Sequence, residues 1–176
     1  MSIPESVTFE EAIAFTQSLL SQMEAGDLSQ AQIKEAIAQL VKTENGARGF
    51  FVTYLTSDGT LADVSSPAVV EALQSSPDTV AELLVKNVAM SAAMAVAHRR
   101  NGDEHNAQGS DRVRSRTIRL IEQVKLPQVR ELALALRESA VTGTGTYGTF
   151  LQRWGYDAEQ RQIICQVLDR VTHQGQ

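Results

Sequence analysis

The chain has 176 residues and a formal net charge of -5, with 43% apolar, 21% charged and 5% aromatic residues. This length suits one domain that buries its own core, and the composition excludes a disordered chain. The acidic balance excludes an overall polyanion binder, and the single cysteine excludes an internal disulfide. Few aromatics and much Ala, Val and Leu favour close helix packing over a β-sandwich.

The first helix opens at Thr8, with Glu11 three residues on, which is a capping box. Phe9, Ala12, Ile13, Leu19, Leu20 and Met23 keep the helical period until Gly26-Asp27. Ser29 and Gln32 form a second capping box ahead of Ile33, Ala36, Ile37, Leu40 and Val41. The loop between the two helices is short, so they are expected to form an antiparallel hairpin. Residues 49 to 56 (Gly-Phe-Phe-Val-Thr-Tyr-Leu-Thr) carry strand-forming side chains. A lone strand has no partner here, and the segment is read as a short helix ended by Ser57-Asp58-Gly59.

Ser66-Pro67 and Ser76-Pro77 are two start signals, with Ser as N-cap and Pro at the first helical position. The second launches the longest helix, from Pro77 to Arg100. Between Val88 and Ala97 it is apolar on nearly every face, which predicts burial all round and the centre of the fold. Its small residues suit close helix contacts, inside one chain or across a homodimer. A polar connector is expected from Asp103 to Gly109. An Arg-rich helix follows from about Ser110 to Lys125, then one from Pro127 to Val141. After the loop from Thr142 to Gly148 come a short aromatic helix and a last helix from Asp157, with Ile163, Ile164, Val167, Leu168 and Val171 on its inner face. The expectation is an all-α, compact bundle of about seven to eight helices in one domain, residues 1 to 176, around 77–100.

No basic region followed by an apolar core begins the chain, and the run Val88 to Ala97 is short of the ~20 residues that span a bilayer. A cytoplasmic protein with no membrane span is expected.

Charge is unevenly placed. Residues 1 to 98 carry four basic and twelve acidic side chains, net -8; residues 99 to 125 carry seven basic and four acidic, net +3. Arg112, Arg116 and Arg119 are spaced to share one helix face, and Arg99 and Arg100 precede them. Stacked guanidinium forks suit carboxylates and phosphates. A solvated face, or ion pairs to the acidic N-terminal helices, accounts for the same stripe. No aromatic stacking platform accompanies it, so nucleic acid is not the favoured partner. Asn87 lies beside the apolar stripe of the long helix, where it either fixes register or meets a ligand.

Three motifs are discounted. Gly143-Thr-Gly-Thr-Tyr-Gly148 matches a dinucleotide fingerprint in letters, but a helical segment precedes it where the motif needs a strand. His98, Asp103, Glu104 and His105 match no metal spacing. Cys165 sits in an apolar run as a small core residue. No catalytic residue, metal or cofactor is expected.

The stretch Arg48-Gly-Phe-Phe-Val-Thr-Tyr-Leu-Thr, with Ser76-Pro77-Asp78, Leu84-Val85-Lys86-Asn87 and Gly109-Ser110-Asp111-Arg112-Val113, resembles an uncharacterised family of cyanobacterial proteins over residues 30 to 170. The resemblance implies a cytoplasmic, photosynthesis-linked setting and brings no known activity or site with it.

The favoured function is a non-enzymatic interaction or regulatory module. It would meet an acidic protein surface or phosphate-bearing ligand through Arg112, Arg116 and Arg119, with Arg99 and Arg100. The alternative is a small enzyme or ligand-binding protein with a pocket near Asn87 and the 142–148 loop. A homodimer through the small-residue helix is the third reading.

Overall fold

The computed structural model describes residues 2 to 173, and these form nine helices and no strand. Both capping boxes are present. Thr8 and Glu11 exchange hydrogen bonds at the start of α1 (Phe9–Ala25). Ser29 and Gln32 do the same for α2 (Gln30–Leu40). Such a cap is worth ~1 kcal/mol.

The ambiguous segment is helical, and its helix begins earlier than expected. α3 spans Glu44–Thr56, with the Thr43 hydroxyl accepting from the Gly46 amide at 3.1 Å. The buried residues Phe50, Phe51, Tyr54 and Leu55 recur at helical spacing, while Val52 is left 44% exposed. Phe50 stacks on Tyr54 one turn later, with ring centroids 5.1 Å apart. Aromatic pairs of this kind add about 0.5–1.5 kcal/mol beyond burial. Tertiary packing thus overrides strand propensity. Gly49 is needed for the crossing with α1, because a Cβ there would stand 2.4 Å from the Ala12 Cβ.

α4 (Pro67–Gln74) starts on a Ser66 cap as expected. α5 (Pro77–Arg100) starts on Pro77 alone, since the Ser76 side chain makes no cap bond. The expected connector 103–109 is a correction. α6 spans Glu104–Val124, and the Asp103 carboxylate caps it by accepting from the Asn106 amide at 3.1 Å. Ala107 is fully buried in that polar stretch and ties the added turns to the core. α7 (Pro127–Thr142), α8 (Gly148–Trp154) and α9 (Ala158–His173) complete the chain. Asp157 and Gln160 form a third reciprocal cap before α9. Within α9, Ile164, Val167, Leu168 and Val171 are buried, and Ile163 is half-buried against the core.

One cluster of buried apolar residues runs from Val7 to Val171. α5 passes through it, packed against α6, α7 and α9. Val80, Leu84, Val85, Val88, Ala89, Ala92 and Ala93 are fully buried. The small residues therefore serve contacts inside the chain. By length and hydropathy α5 passes for a bilayer span, but it is the core helix here, with 56% of its most apolar stretch buried. It is not buried all round, however. Met90 is half-exposed and Met94 is 36% exposed, so one stripe of α5 stays uncovered.

Candidate functional site

The five arginines singled out from sequence have different fates. Arg116 is 3% exposed. Its Nε donates to Asp63 Oδ1 at 2.9 Å. One terminal nitrogen donates to the Leu55 and Ser57 carbonyls at 3.0 and 2.7 Å, and the other to the Gly59 carbonyl at 2.8 Å. The fork closes the C-terminal end of α3, where the last carbonyls lack helical partners and the dipole is negative. This corrects the expectation of a solvent-facing stripe. The i, i+4 spacing puts Arg112 and Arg116 on one face, but the loop after α3 lies over only one of them.

The same loop is held along its length. Arg119 is exposed and donates to the Asp63 carbonyl at 3.2 Å. Gln123 exchanges two hydrogen bonds with the Ser65 backbone, at 3.1 and 2.9 Å. From the core side, the Tyr54 hydroxyl meets the Leu61 carbonyl and the Ser65 hydroxyl. Burial pushes the Tyr54 phenol above its ordinary pKa.

Arg99 and Arg100 form a belt at the end of α5. Arg99 pairs with Asp111 at 2.6 Å and Glu104 at 3.2 Å. Arg100 pairs with Asp157 and Glu159, fastening α5 to the start of α9. The Arg100 guanidinium, helped by the Gln160 amide, holds the Asp157 carboxyl down at about 2.

Arg112 differs from all of these. It is exposed and makes no ion pair or hydrogen bond among the described residues. It stands at the rim of an open groove of about 320 Å³ between α5 and α6. Met90, Met94 and Val113 give that groove its apolar floor, and Gly109 lies in its α6 wall. Asn87 lines it too, half-buried, with a side chain that makes no hydrogen bond among the described residues. The groove is the uncovered stripe of α5. Sequence reasoning found Asn87 and Arg112 but missed the groove; the available signal was a glycine six residues into a 21-residue helix.

No residue of the 142–148 loop lines that groove. That loop lies on the neighbouring flank of α5, where Lys86 sits 5.9 Å from the Tyr147 ring centroid and 5.4 Å from that of Phe150. Gly143 and Gly145 take positive φ, so α7 ends there and α8 begins. Cys165 is half-buried, with its thiol pKa raised by burial. His98 Nδ1 is 3.9 Å from Asp103, and no metal-holding group of His, Cys, Asp and Glu occurs among the described residues.

A family model described as "Uncharacterised conserved protein UCP020893" matches residues 8–171. No curated protein and no solved structure matches the chain.

Proposed function

The chain belongs to that family of uncharacterised conserved proteins, and we propose that it is a non-enzymatic interaction module whose α5–α6 groove takes an acidic, partly apolar segment of a partner protein. One observation carries this reading. Arg112 presents a guanidinium that has no partner among the described residues, beside the floor of Met90, Met94 and Val113. A free fork recognises a carboxylate with two donors at once. Methionine side chains adapt their shape to an apolar partner. Arg99, Arg100 and Arg116 are engaged in ion pairs within the fold and Arg119 gives one hydrogen bond to a carbonyl, so the reading centres on Arg112 with Asn87.

The groove chemistry supports binding over catalysis. The Ser91 hydroxyl is donated to the carbonyls of Asn87 and Val88. A cyanobacterial cytoplasm is part of the same proposal; its cyanobacterial part rests on the sequence resemblance alone.

The test is co-purification from the native host. A protein partner is expected with the unaltered chain, lost with Arg112→Glu and lost at high salt. Arg130→Glu, an exposed change on α7, is expected to retain it. Retention by Arg112→Glu, or recovery of nucleic acid alone, counts against the reading.

A further inference from the structure

Gly109 is unlike the other helical glycines of the chain. Gly49 and Gly46 sit where a Cβ would collide with a neighbour, at 2.4 Å from Ala12 Cβ and 2.0 Å from the Leu40 carbonyl oxygen. At Gly109 a Cβ would meet nothing within 4 Å. Its φ is not positive either, so the backbone there is one any residue adopts. Glycine inside a helix is disfavoured relative to alanine, through backbone entropy. The chain therefore carries a destabilising residue in α6 that its own packing does not require. The empty space lies in the groove wall, opposite the uncovered Met90 and Met94 stripe.

We propose that the groove's occupant is an α-helix of an acidic partner protein, crossing α6 with its backbone drawn against Gly109. The inference rests on the interaction reading above and adds the form of the partner. Missing side chains at a crossing let two helices approach more closely than the usual 8–10 Å. Apolar residues one turn apart on the incoming helix reach Met90 and Met94, which are themselves one turn apart. An acidic residue on its flank meets Arg112, which has no counter-ion among the described residues. The groove is open along its length and does not enclose an occupant, as a small-molecule site would.

A displayed library of helices of about 20 residues, long enough to be helical alone, provides the probe. Its outer face is fixed as glutamate and its inner face randomised. Selected binders are expected to carry a small residue at the centre of the inner face. They should lose at least about tenfold in affinity for Gly109→Leu and likewise for Arg112→Glu. Gly109→Ala is expected to raise the Tm of the free protein by ~2–4 °C. Binders that depend on Arg112 but ignore Gly109→Leu would overturn the helix crossing and leave the groove reading standing. Binders indifferent to both, or no binders, would overturn both. A fall in Tm for Gly109→Ala would mean that the glycine serves the fold, and would also overturn the crossing. Concentration-dependent self-association abolished by Gly109→Leu would put a second copy in the groove in place of an acidic partner.

Discussion

The two halves of α6 face opposite tasks with similar residues. From Arg116 to Gln123 its polar side chains reach across to the loop after α3 and fix it. From Asn106 to Val113 the helix borders an open groove, and Arg112 meets no partner there among the described residues. Arg112 and Arg116 are one turn apart. Their difference shows that a side chain's role follows from what the rest of the chain lays over it. The four residues of separation put them on the same face, yet one is a buried cap and the other an exposed charge.

Exchanging each arginine for glutamine should separate the two halves most sharply. Arg116→Gln takes the fork away from three carbonyls and a half-exposed Asp63, and roughly 2–4 kcal/mol of stability is expected to go, mostly through the carbonyls left without donors. Arg112→Gln should stay within ~0.5 kcal/mol of the unaltered protein. Denaturant midpoints measure both, and equal losses would erase the distinction between the halves. Gln123→Ala removes two hydrogen bonds to the Ser65 backbone and is expected to cost ~1–3 kcal/mol in the same unfolding experiment. At the far end of α6, Lys125 takes a positive φ of 50°. Lys125→Gly should relieve that strain for a gain of at most ~1 kcal/mol; a loss would mean that the lysine side chain contributes more than its backbone costs.

The belt beside the open half gives a pH signature. The folded carboxyl of Asp157 sits at about 2, below its ordinary value. Its contribution is thus complete above the unfolded pKa of ~3.9 and is lost as the pH falls toward 2. Asp157→Asn should flatten the acid limb of the stability curve and leave its shape between pH 6 and pH 8 unchanged. An acid limb as steep as that of the unaltered chain would place the acid sensitivity elsewhere.

Local signals in the sequence were read correctly where one or two residues suffice. Thr8 with Glu11, Ser29 with Gln32, and the prolines at 67, 77 and 127 each mark a helix start through their own chemistry. The first two turns of α6 were hidden because residues 104 to 110 are polar except for Ala107, whose burial only the folded core reveals. Arg116 was hidden for a related reason. Its partners are mostly backbone carbonyls, and a carbonyl acceptor leaves no mark in a sequence. Asn87 and Arg112 were visible as polar residues out of place. The groove joining them was not, since an all-apolar stretch of α5 looks the same whether every face is covered or one stripe is left open.

The grip on the loop after α3 also sets how that loop can change. Arg116 takes hold of main-chain oxygens at residues 55, 57 and 59, and Asp63 alone contributes a side chain to it. The letters at Asp58 and Thr60 are therefore free to vary, whereas the number of residues is not. A single insertion or deletion would carry each oxygen out of reach of the fork. This segment is tolerant of spelling and intolerant of length, where surface loops usually permit both to change.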